Sequence, residues 1–184
     1  YILQEHTEKD TSRINLLIDF AESTLETDQN KSIKYAAEAY ELANILHFKK
    51  GKAESLYCSG LAYYYKVDYQ QSMECFQKSM DTYEALGNKN RIADCLVYFG
   101  KIYKNLGKYL LSLESYKKAL KVNEEIGNKQ ETAVCLKYMG IIYEYQGNYT
   151  LSLEYYNKAL KINEEINNEQ GKANCLHNIG IIYQ

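Results

Sequence analysis

The chain has 184 residues, with 22 Lys and Arg against 24 Asp and Glu and a formal net charge of −2, long enough for one ordinary domain with a buried core. The near balance of charge argues against a nucleic-acid partner, whose phosphates require a basic face. No apolar run approaches the roughly 20 residues of a membrane span, so no direct membrane contact is expected in this segment. There is no proline, and 20 tyrosines stand beside no tryptophan. Proline breaks helix interiors, so its absence suits a chain that is helical nearly throughout. The sequence starts at Tyr1 rather than Met, which fits a fragment or a processed form, so the lack of a leader says little about where the parent protein resides.

In chain order, the first segment, residues 11–46, reads as a weak copy of the later repeat units. It aligns with Ala21 in the place of Gly60 and Ser32 in the place of Ser72, with its turn one residue shorter. Residues 47–86, 87–126 and 127–166 are three full units at a step of 40. The blocks Gly87–Ile126 and Gly127–Ile166 match at 25 of 40 positions without a gap. Residues 167–184 read as the first helix of a further unit.

Each unit reads as two helices. In the 87–126 unit the first runs roughly from Arg91 to Leu106, with Leu96, Phe99, Gly100 and Tyr103 at the i, i+3, i+4, i+7 spacing of one face. Gly107-Lys108-Tyr109 makes the turn. The second runs roughly from Leu110 to Ile126, with Leu113, Tyr116, Leu120 and Asn123 on one side, and Gly127 suits the left-handed position after its end. Gly60, Gly100, Gly140 and Gly180 fall mid-helix, where Gly costs roughly 1 kcal/mol relative to Ala. Close approach of the second helix rationalises that cost, with Ser72, Ser112 and Ser152 as small partners. A hairpin of this size cannot bury its own apolar face and needs stacked neighbours.

The spacing Leu96-x-x-Phe99-Gly100-x-x-Tyr103, then Gly107-x-Tyr109, Ser112, Tyr116 and Ala119, resembles the tetratricopeptide repeat. Cys95-Leu96 stands in the usual Trp region, Ser112 replaces a small Ala, and no Pro closes the second helix. The period of 40 resembles the longer-repeat branch of the family, and the wording of residues 10–17 and 152–162 is similar to repeats of Bacteroidetes-type sensor histidine kinases. The resemblance covers nearly the whole chain. It implies an all-α fold, a right-handed α-solenoid of antiparallel helix hairpins over residues 1–184, and a non-catalytic scaffold for a protein or peptide, forming the interaction or sensory part of a larger signalling protein. Self-association through exposed solenoid ends, giving a homo-oligomer, is the alternative.

The registers leave little for chemistry. All ten glycines fall into four of them, and no phosphate-cradling or dinucleotide pattern occurs. Cys95, Cys135 and Cys175 are one register of successive units; stacked helices are roughly 10 Å across, beyond the about 7 Å Cα separation a disulfide allows. Without a C-x-x-C or an H-E-x-x-H, no metal site is expected. No cofactor is expected either. His6, His47 and His177 share no helix face. Five unpaired thiols favour a reducing compartment, and a periplasmic one stays open for part of a membrane sensor kinase.

On the first helix of a unit, the face opposite Leu96 varies between units while the core registers repeat. The resemblance places this face in the concave groove where peptides bind. It gathers Leu61 and Tyr65 flanked by Tyr57 and Tyr64, then Tyr98 and Lys101 flanked by Lys104, then Tyr138, Ile141 and Tyr145 flanked by Lys137, then Asn178. Helices apolar on both sides are either buried all round or present a binding face, and both readings stand for these tyrosines. The acidic N-terminal part of the face and the lysines near its middle would orient an extended peptide. The Lys/Asn clamp with which chaperone cofactors of this family grip a C-terminal carboxylate is not reproduced.

Overall fold

The computed structural model describes residues 10–184; His6 lies outside the described residues. Among the described residues the chain forms nine α-helices and no strand: α1 (Thr11–Ser23), α2 (Gln29–Ile45), α3 (Lys49–Tyr65), α4 (Tyr69–Leu86), α5 (Lys89–Asn105), α6 (Tyr109–Glu125), α7 (Lys129–Tyr145), α8 (Tyr149–Glu165) and α9 (Glu169–Ile182). They group into two compact units, one ending at Arg91 and one beginning at Ile92. The two helices read from the sequence in the 87–126 segment lie within a residue or two of α5 and α6.

Local chemistry sets the ends. Most helices begin on an Asp or Asn whose side chain accepts the amide of the third helical residue, as Asp28 does from Lys31 at 3.0 Å and Asn168 from Gly171 at 3.0 Å. Between helices one residue adopts a left-handed conformation: Gly87, Gly107, Gly127 and Gly147 lie at φ 68–72°, and His47, Val67 and Asn167 take the same turn at φ 51–65°. The reversal lets the amide three residues past the helix bond back into its last turn, as Asn128 N does to Asn123 O at 2.9 Å.

Within each unit consecutive helices pack antiparallel. On α3 and α4, Ser72 Oγ donates to Gly60 O at 2.8 Å, and one further contact along, Ser79 Oγ donates to Ala53 O at 2.8 Å, so one helix advances as the other recedes. The Ser–Gly bond recurs in the second unit, from Ser112 to Gly100 at 2.7 Å and from Ser152 to Gly140 at 2.9 Å.

The glycines do more than admit a serine. A Cβ placed on Gly60, Gly100 or Gly140 would lie 2.6–2.8 Å from the ring of Phe76, Tyr116 or Tyr156 respectively. Each of these rings is fully buried and sits four residues, one helical turn, after the serine. The expected close approach is therefore a ring laid flat against backbone, with the serine hydroxyl tying the adjacent carbonyl. In the first hairpin both sizes change together. Ser32 Oγ donates to Ala21 O at 2.7 Å, and Ala36 stands one turn after Ser32 where the other units carry a ring; Ala21 and Ala36 are both fully buried. The Ala21 methyl has room because no ring faces it from the second helix.

The backbone makes two outcomes testable. Val67 is β-branched, exposed and held at φ 65°, so Val67→Gly should raise stability by about 1 kcal/mol, seen as a higher urea midpoint with unchanged slope. The glycine register should give opposite signs at two of its members. Gly140→Ala drives a methyl into the Tyr156 ring and should cost about 1–3 kcal/mol. Gly180, which has no atom within 4 Å of such a methyl, should tolerate Ala or gain slightly through helix propensity, both read from thermal melts.

Candidate functional site

In the second unit, α5 and α7 bring five of the residues singled out by the sequence into one cluster. Lys101 and Lys104 lie one turn apart on α5, and Lys137 and Tyr138 are adjacent on α7. All three ammonium groups approach the Tyr138 ring, at 5.6, 5.8 and 4.7 Å from its centroid, and Lys101 also lies 4.2 Å from the centroid of Tyr98. The Tyr138 ring is stacked in parallel on buried Tyr116, centroids 5.3 Å apart, so the platform is fixed from below by the ring that fills the Gly100 seat. Tyr98, Lys101, Lys104, Lys137 and Tyr138 are all half-buried.

Burial pushes the Lys101 and Lys137 ammonium groups below the ordinary lysine value, with Lys104 adding repulsion on both and Glu131 partly offsetting it. Glu131 is itself pushed up, by burial first and then by the charge of Asp94. The site thus holds three cations and two anions. Ile141 is half-buried on the next turn of α7. Tyr145 is exposed beside Tyr109, centroids 6.0 Å apart, and it lines a separate cleft of about 430 Å³ with Tyr149 and Ile181. Asn178 is half-buried on α9.

In the first unit Tyr57 and Leu61 are buried. Tyr57 packs edge-on against Phe76, centroids 5.5 Å apart, and carries the Arg91 guanidinium 4.6 Å above its ring. Tyr64 is half-buried between Tyr65 and Tyr69 at 5.7 and 6.0 Å, and Tyr65 is exposed. Beside Tyr57, Glu54 accepts from both the Arg91 guanidinium and the Tyr83 hydroxyl. Glu54 and Arg91 line a cleft of about 470 Å³ together with Asn15, Asp19 and Glu22 of α1.

The cysteines are all free thiols, and Cys58, Cys95, Cys135 and Cys175 are buried. The carboxamides of Asn123 and Asn163 donate to the sulfurs of Cys135 and Cys175 at 3.8 and 3.7 Å. Burial pushes the Cys135 thiol up to about 12, so it stays protonated and is no nucleophile at neutral pH. Among the described residues, no group of three His, Cys, Asp or Glu side chains is placed to hold a metal ion, and no helix is long and apolar enough to cross a membrane.

A family profile for the tetratricopeptide repeat matches residues 91–165 and 131–184, together a little over half of the chain. The chain belongs to the tetratricopeptide repeat family. Its all-helical fold is shared with solved tetratricopeptide solenoids. Aspartyl phosphate phosphatase F from Bacillus subtilis is 16% identical with a TM-score of 0.88, over 93% of this chain and 45% of that one. A signal transduction ATPase with numerous domains and a tetratricopeptide repeat sensor, from Pyrococcus horikoshii, is 18% identical with a TM-score of 0.86, over 99% of this chain and 29% of that one. A Rap protein complexed with competence and sporulation factor is 14% identical with a TM-score of 0.69, over 99% of this chain and 55% of that one. The chain thus spans less than two thirds of each, and at these identities the likeness carries the fold alone. Among curated protein sequences none matches this chain. Tetratricopeptide repeats are generally non-catalytic protein-interaction scaffolds.

The tetratricopeptide register also shows how the Glu54 cluster could have been found. Tyr83 stands where the later units have Asn123 and Asn163, and Arg91 stands where others have Gly51, Glu131 and Gly171. Two departures in neighbouring registers, one a phenol and one a guanidinium, signal a shared acceptor. Glu54 is mostly buried beneath them. Replacing it by Gln should cost about 1–2 kcal/mol, since charge-assisted bonds contribute more than neutral ones. Glu54→Gln and Tyr83→Phe should be non-additive in urea titrations, because they share one carboxylate.

Proposed function

We propose that this tetratricopeptide chain is a protein- or peptide-binding scaffold, and that its second unit receives an extended segment on the face formed by α5 and α7. The observation that carries this reading is the pair Tyr98 and Tyr138. Both are half-buried, with Lys101 over the Tyr98 ring and the Tyr138 ring stacked on Tyr116, so neither is a mobile surface side chain. A tyrosine pre-positioned in this way offers a large contact area and a hydroxyl for little additional ordering cost, which suits a recognition surface. Ile141 extends the same face by one helical turn.

The biological setting belongs to the same proposal. Similar folds occur in a signal transduction ATPase, where the repeats are the sensor, and in a Rap protein complexed with competence and sporulation factor. These support placing the chain as the interaction or sensory part of a larger signalling protein, with any catalysis residing in another domain.

The test is a peptide array probed with the full chain and with the Tyr98→Ala, Tyr138→Ala double variant. Binding should fall about tenfold or more in the variant, the range for loss of interface aromatics. A far-ultraviolet spectrum and melting curve confirm that the helices persist without the Tyr138–Tyr116 stack. Binding that survives the double change sinks the assignment of this face.

A further inference from the structure

Lys52 and Lys158 each lie 5.2 Å from one tyrosine ring, whereas in this cluster three lysines meet at a single ring. Lys118, Lys158, Lys129 and Lys172 are paired with Glu114, Glu154, Glu165 and Glu169 at 2.6–3.0 Å, mostly within one helix and in solvent. Such pairs hold long side chains on the surface and bring little stability. Lys101, Lys104 and Lys137 are half-buried, and their ammonium groups lie against tyrosine rings. Aromatic faces attract cations without neutralising them. Three positive charges therefore converge on one ring with their charge intact, and burial already makes that charge costly.

The balance around them is also unusual. The chain as a whole carries −2, whereas this site holds Lys101, Lys104 and Lys137 against Asp94 and Glu131. Glu131 lies in the first turn of α7, and its backbone amide bonds to the Asn128 side chain at 3.2 Å, so its place is fixed by the start of the helix. Lys101 and Lys104 arise from α5 and Lys137 from α7, so cations from two helices meet at the Tyr138 ring. An anion placed against the outward side of these ammonium groups would pair with them, and its charge would relieve the repulsion among them.

On this basis we propose that Lys101, Lys104 and Lys137, arrayed around Tyr138, form an anion subsite that selects an Asp or Glu side chain of a bound extended peptide. The inference rests on the binding face proposed above and adds the chemistry of its ligand. The carboxylate would be contacted by the ammonium groups, while the flanking peptide lies along Tyr98 and Ile141. The neutral clamp partners that would hold a chain-terminal carboxylate are absent, and an internal acidic side chain needs only the cations and the platform.

The experiment is an array of peptides in extended form, balanced for acidic, basic and neutral members and including phosphoserine members, probed with the full chain. The probes are the unaltered chain, the Lys101→Met, Lys137→Met double variant, and the Tyr98→Ala, Tyr138→Ala double variant. Methionine keeps the apolar stem and removes the charge, and relieving like-charge repulsion should leave the fold intact; melting curves check this. Bound sequences should be enriched in Asp or Glu. The Met variant should lose that enrichment, weaken the best acidic peptide about tenfold, and flatten its salt dependence.

Binders without acidic enrichment that depend on Tyr98 and Tyr138 would overturn the anion subsite and leave the binding face standing. Acidic enrichment that persists in the Met variant would also overturn the subsite. Preference for phosphoserine over Asp and Glu would overturn the carboxylate assignment. An absence of binders, or binders indifferent to both variants, would overturn both proposals.

Discussion

The structure depends on a ring laid against a glycine. In three hairpins an aromatic side chain of the second helix fills the space that a Cβ on the first helix would occupy, and a serine one turn earlier bonds the glycine carbonyl. The contact combines dispersion over a large flat surface with a hydrogen bond that satisfies a buried hydroxyl. Close packing at protein density leaves no slack for an added methyl. The first hairpin shows the same constraint met another way, with Ala21 and Ala36 sharing the space that Gly and a ring share elsewhere.

The opposite side of the first helix is packed to different depths in different units, with Cys58 fully buried and Tyr98 and Tyr138 half-buried. That is where the units differ. Position 58 is Cys, 98 and 138 are Tyr, and 178 is Asn. The seam and the variable face also communicate mechanically. Tyr116 closes the Gly100 seat on one side and carries the Tyr138 ring on the other. The Tyr138 ring is therefore backed by a fully buried ring of its hairpin, which would keep the proposed recognition face preorganised.

The two faces with distinctive side chains use charge differently. In the first unit Arg91 is satisfied by Glu54 and lies over Tyr57, so charge is spent internally and holds the wall of the cleft. In the second unit the ammonium groups of Lys101, Lys104 and Lys137 lie against the Tyr138 ring, where the proposed anion subsite would use their charge. Both clusters rest on tyrosine, whose ring supplies an apolar support and whose face attracts cations.

The sequence by itself determined the hairpins. A 40-residue period, glycine at a constant place in the first helix and serine twelve residues on leave one way to bury the apolar stripes, and the absence of proline leaves the helices uninterrupted. It also marked Tyr98 and Tyr138 as residues the repeat does not require. What only the tertiary structure decided is what those extra residues touch. Periodicity reports which face a side chain is on, but not which neighbouring helix it meets. Thus Tyr57 and Leu61, on or flanking the same face in the sequence, are buried, while Tyr65 and Tyr145 are exposed. The gathering of three lysines from two helices around one ring, and of Glu54 with Tyr83 and Arg91, joins residues about 30–40 positions apart. Such contacts are set by how one helix lies against the next, a distance of ångströms that register alone does not encode.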